Sequence, residues 1–96
     1  MRQNVYAIYD SKAEAYLQPL YTVNDQIAHR IFASALIEEG HNFNQFPGDF
    51  TLFQLGTWES DTATFEPCEG GKRNLGNGLE IKSKYQLQNQ TEDIGS

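Results

Sequence analysis

The sequence predicts an α+β fold, ββαββ, with one helix packed on one face of a four-stranded antiparallel sheet in the order 2-1-3-4. Three observations carry this. One segment repeats its apolar residues at helical spacing between a capping residue and a glycine stop. Segments rich in β-branched and aromatic residues flank it as two hairpins. Each hairpin carries a proline in its second strand, which puts those strands at the edges, because proline cannot donate to a sheet ladder.

The first strand is "NVYAIYD" (4–10), and "DSKAE" (10–14) is the polar turn that follows. "AYLQPLYTV" (15–23) is the returning strand, with Pro19 inside it. "NDQIAHRIFASALIEEG" (24–40) is the helix. Asn24 is a good N-cap, Asp25 suits the first turn, and Gly40 ends it. Ile27, Ala28, Ile31, Phe32, Ala35 and Leu36 form one stripe for the sheet. Glu38 and Glu39 sit in the last turn, where the helix dipole disfavours them and nothing local compensates.

"HNFNQFPGD" (41–49) reads as a loop, and "FTLFQLGTWE" (50–59) as the third strand. A turn, "SDTA", leads to the fourth strand, "TFEPCE" (64–69), with Pro67. "GGKRNLGNG" (70–78) reads as a mobile glycine-rich loop and "LEIKS" (79–83) as a short last strand. Residues 1–83 make a single domain, and 84–96 read as a polar, disordered C-terminal tail, with Tyr85 and Leu87 able to pin its start.

The third strand is apolar on both faces. Phe50, Leu52 and Trp58 share one parity, and Phe53 and Leu55 the other. A single helix covers one sheet face, so the other is an aromatic surface for self-association or for unstacked bases.

Composition narrows the function. The chain has 96 residues, a 39% apolar share and a net charge of −6, so a broad electrostatic grip on nucleic acid or anionic lipid is disfavoured. The N-terminus has no apolar secretion region, and no run is long enough to span a bilayer. The single cysteine, Cys68, has no partner for an internal disulfide. The expected location is therefore intracellular and not at a membrane.

Catalysis finds no constellation. His29 and His41 are too few and too separated for a metal set, and Asp49 and Glu59 have nothing that pairs them as acid and base. Glu66 and Glu69 would raise the pKa of Cys68. The glycine-rich segment is read without a following helix and so without the context of a phosphate loop. No cofactor, metal or catalytic residue is expected. A DNA-binding surface draws on Lys72 and Arg73 in the loop, on Lys82 and Lys84 beyond it, and on Arg30 of the helix, with Tyr6, Tyr16 and Phe53 as stacking rings. From the residues alone, a homo-oligomer (a dimer or larger) is the simpler use of the free face.

"NVYAIYDSKAEAYLQPLYTVN", a helix with "IAHRIF", and "FPGDFTLFQLGTWE" together resemble the small non-structural protein of gokushovirus-type microviruses, tailless phages with single-stranded DNA. The resemblance covers residues 3–82, with "NGLEIK" a weaker part and "KSKYQLQNQTEDIGS" outside it. It implies DNA binding at the shift from double-stranded intermediates to single-stranded genomes, in the cytoplasm of the bacterial host. It brings no set of binding residues. The alternative is an oligomeric module that docks on a viral or host replication or capsid protein without touching DNA.

Overall fold

A computed structural model describes the backbone of residues 1–95 and the side chains of residues 1–86. The strands are β1 (Arg2–Asp10), β2 (Ala15–Tyr16), β3 (Leu20–Thr22), β4 (Phe50–Glu59), β5 (Thr64–Pro67) and β6 (Arg73–Asn77). The helices are α1 (Asp25–Ile37), α2 (Asn42–Gln45) and α3 (Gly78–Gly95), with a 3-10 turn at Pro47–Asp49. All six strands lie in one antiparallel sheet. β1 and β4 pair along their length, β2 and β3 both flank β1, and β5 and β6 both flank β4.

The expected ββαββ class, with one helix on four strands, is therefore corrected to three helices on a six-stranded sheet among the described residues. Each difference has a local cause. The expected strand 15–23 is interrupted at Leu17–Pro19, since Pro19 offers no N–H, and pairing resumes at Leu20. The expected loop 70–78 turns at Gly70 and Gly71, both at positive φ, and then pairs with β4 as β6. Gly76, at φ +136, accommodates a bulge there, and its N–H is met by the Asn74 carboxamide oxygen at 2.8 Å.

The expected strand 79–83 is the first turn of α3. Asn77 accepts the Leu79 N–H through its side chain at 3.0 Å, as a cap does. Ile81 and Tyr85, four apart, then reach the core from one helix face. The expected loop 41–49 contains α2 and the 3-10 turn. The tail expectation for 84–96 falls mostly on residues whose side chains lie outside the described ones.

α1 begins where its cap dictates, with Asn24 Oδ1 accepting the Ile27 N–H at 2.9 Å. Its buried stripe is rotated from the expected one. Ala28, Phe32, Ala33 and Leu36 are buried, whereas Ile27 and Ile31 are 40% and 48% exposed. The reason is α3: α1 is packed by the sheet on one flank and by α3 on the next, which draws Ala33 inward and turns the isoleucines out. Tyr6, Ile8, Phe50 and Leu52 complete the core from the sheet, and Phe43 of α2 packs on Phe32 and Phe50 with ring centroids 5.5 and 4.4 Å apart.

β4 carries a second bulge. Tyr6 pairs with Gln54 and its neighbour Val5 with Gly56, so Leu55 is the extra residue. The Leu55 carbonyl accepts the Cys68 N–H at 3.0 Å. Beside it, a Cβ on Gly56 would stand 2.1 Å from the Glu66 carbonyl oxygen and 2.9 Å from the Phe65 ring.

Two predictions follow from this packing. Leu36→Ala, at a fully buried position, should cost about 2–5 kcal/mol in urea unfolding. Gly56→Ala should cost about 1–3 kcal/mol, because β4 and β5 must part to admit one methyl group. A Gly56→Ala protein as stable as wild type would mean the two strands are not in this register.

Candidate functional site

Register assigns every strand residue to a face. Tyr6, Ile8, Leu52 and Gln54 point toward α1, so Val5, Ala7 and Tyr9 of β1 point away from it. Opposite them on β4 lie Gly56, Phe53 and Thr51, with Gln3 facing Trp58. The outer strands add Tyr16 opposite Tyr9, Tyr21 opposite Val5, and Phe65 opposite Trp58. No helix of the described residues covers this open face.

Its centre is an aromatic group. The Tyr9 and Tyr16 rings are 4.8 Å apart and tilted by 53°, and Tyr16 meets Phe53 edge-on at 5.8 Å. Val5 and Ala7 are buried although they belong to the uncovered side. Lys72 Nζ lies 5.5 Å from the centroid of the Tyr16 ring, a cation–π contact. The loop that carries it is reached through Gly70 and Gly71.

Charge is sorted between the faces. The strands contain three carboxylates, Asp10, Glu59 and Glu66, and register puts all three on the α1 side. Asp10 accepts the Lys12 and Ala13 N–H groups in its hairpin, Glu59 holds the N-terminal ammonium at 2.8 Å, and Glu66 lies 3.9 Å from Arg2. The strand positions of the open face carry no Asp or Glu.

The residues expected from sequence to bind DNA are divided by the fold. Tyr16, Phe53 and Lys72 come together on the open face. Tyr6 is fully buried on the other side and presents no ring for stacking. Arg30 is exposed on α1, Lys82 donates to the Asn44 carbonyl at 3.1 Å, and Lys84 is exposed on α3, all away from the aromatic group. Tyr9 belongs to the group and was missed by sequence. Its signal was its place beside the four-residue turn 11–14, which sets Asp10 against Ala15 and Tyr9 against Tyr16. The glycine-rich segment is in fact followed by a helix, but its residues 73–77 are a paired strand and the α3 terminus is capped by Asn77.

Arg73 has a different task. Its guanidinium donates to Asp25 at 2.7 Å and to the Gln54 side chain at 2.6 and 3.0 Å. Asp25 also accepts from the Tyr6 hydroxyl at 2.6 Å, and that hydroxyl accepts from Asn4 at 2.9 Å. The network ties β1, α1, β4 and β6 together. Burial pushes the Asp25 carboxyl up, but hydrogen bonds from Tyr6 and Arg73 outweigh it and hold it below its ordinary value. The Tyr6 phenol is raised, first by burial and then by Asp25. The Arg73 guanidinium is raised by its bond to Asp25.

A family model described as Phage ORF5 protein matches residues 3–81. No curated protein and no solved structure matches the chain.

The network gives the fold an acid limb. A carboxyl held low when folded adds stability that is complete above its unfolded value and is lost as pH falls through the folded one. Asp25→Asn should therefore lower Tm at neutral pH and flatten its decline as pH falls from about 5 through the carboxylate range. Parallel Tm–pH curves for the two proteins would show that Asp25 is not linked to folding.

Proposed function

Because the chain belongs to the Phage ORF5 protein family, we propose that it is a non-enzymatic phage protein that binds single-stranded DNA on its open sheet face during viral genome replication. The proposal includes the narrower likeness to gokushovirus-type microviruses, with action in the cytoplasm of the bacterial host at the switch to single-stranded genomes. No helix of the described residues is long and apolar enough to cross a membrane.

One observation supports this reading above the others. The open face combines the Tyr9–Tyr16–Phe53 group, one lysine laid over a ring, and no strand carboxylate. Aromatic faces take up unstacked bases with little regard to sequence, at about 1–3 kcal/mol per base, and a duplex hides those surfaces. Lys72 then has two uses, capping Tyr16 in the free protein and reaching a phosphate when a base takes its place. With so few cations the binding is stacking-led, and each neutralised phosphate on a single strand adds only about 0.7 to the salt slope.

The test is titration with single-stranded and duplex oligonucleotides, read by anisotropy and by the fluorescence of Trp58, the one tryptophan, which lies on the same face. Single strands should bind in preference to duplex and with a shallow salt slope. Tyr16→Ala should weaken binding by about 5- to 150-fold, and Lys72→Glu should weaken it with Tm unchanged. Arg73→Glu should instead lower Tm, since it puts a second carboxylate against Asp25. No retention of single-stranded DNA at low salt would discard this reading and leave the face as a docking surface for a replication or capsid protein.

A further inference from the structure

α1 has an outward side that is exposed among the described residues. Ile27 and Ile31, one turn apart, are exposed, and Val23 just before the helix is 54% exposed. These residues face away from Phe32 and Leu36, and so away from the sheet. Ser34, small and exposed, follows on the same side. Val23, Ile27 and Ile31 together make an apolar strip on a polar, acidic chain, the kind of contiguous patch that marks an interaction surface.

The charges on α1 say which partner. Its last turn has no basic residue, and Glu38 and Glu39 crowd its negative end. In the monomer this is purely unfavourable. A second α1 running antiparallel reverses its sign. In a two-fold crossing centred near Ile31, Ile27 lies over the partner's Ser34 and Ile31 beside the partner's Ile31. Glu38 and Glu39 then reach the turn at the partner's Asn24, the positive end of that helix. The carboxylate already in that turn, Asp25, is engaged by Arg73 at 2.7 Å and does not oppose them.

We propose that the protein forms a two-fold dimer through antiparallel α1 helices, with Ile27 and Ile31 as its apolar seam and Glu38 and Glu39 set against the partner's helix N-terminus. The seam lies on the far side of the sheet from the aromatic group. The dimer thus leaves both open faces free and turned away from each other, and it stands or falls independently of DNA binding.

Sedimentation of the full chain from micromolar to millimolar concentration tests it. Wild type should show a reversible monomer–dimer equilibrium. Ile31→Asp should raise the dissociation constant at least about 30-fold, and Ser34→Arg should do so independently by blocking close approach. Both sites are exposed, so circular dichroism and Tm of dilute samples should be retained. Glu38→Gln with Glu39→Gln is the diagnostic variant. It should raise the Tm of the dilute monomer by relieving the dipole, yet weaken association about tenfold or more. A monomer at every concentration overturns the proposal. So does a dimer that survives Ile31→Asp but is lost in Tyr16→Ser with Phe53→Ser, because the sheet face would then be the seam. Association unchanged or strengthened by the glutamine pair overturns it as well.

Discussion

The bulge at Leu55 is the constraint on which the two-faced character of this sheet depends. β4 is the one strand that pairs with β1, β5 and β6. Strict alternation along it would send Phe50, Leu52, Gln54 and Trp58 to one side. The extra residue shifts the phase after Gln54. Phe50, Leu52 and Gln54 stay with the core, and Trp58 joins Phe53 on the open side. The bulge also creates the close approach at Gly56, where β5 can pair only because no Cβ is present. A covered core and an aromatic surface are thus both built from a single ten-residue strand.

The polar network holds what the bulge arranges. Gln54, the last core-facing residue before the bulge, accepts from Arg73, and Arg73 reaches Asp25 in the first turn of α1. Tyr6 completes the link from β1. The Asp25–Arg73 pair is partly exposed, so its Coulomb energy is screened. Its value is geometric: it fixes where α1 crosses the sheet, and it keeps β6 beside β4 despite a glycine at positive φ. The same pairing removes Arg73 from the open face and leaves Lys72, its neighbour, on the other side.

The sequence was legible where a residue's role is decided within a few positions. α1 and its Asn24 cap could be read directly, as could the strand character of 4–10 and 50–59. It was not legible where the role depends on a distant partner. Ile27 and Ile31 fit an inward stripe as well as Phe32 does, and only the docking of α3 decides against them. "LEIKS" alternates like a strand, yet Ile81 also stands four residues from Tyr85, and the core selects that spacing. Glycine-rich composition hid β6, because pairing with β4 is a property of the register. Of the candidate site, Tyr16, Phe53 and Lys72 could be found from residue type. Tyr6 could not be excluded, since one parity choice, settled only by the helix above it, exchanges Tyr6 for Tyr9.

The rims of the sheet have a consequence for how this protein behaves in a crowded cell. β2 and β3 have two and three residues and are separated by Pro19; on the other rim β5 has four and ends at Pro67, and β6 has five and is bulged at Gly76. Neither rim offers a long, flat run of unpaired N–H and C=O groups, so neither templates the addition of another strand. Both rims therefore disfavour lateral growth into ribbons or fibres. A small acidic protein with an uncovered aromatic plane would otherwise be a hazard at high copy number. Here the interrupted rims withhold the strand-pairing route to such growth.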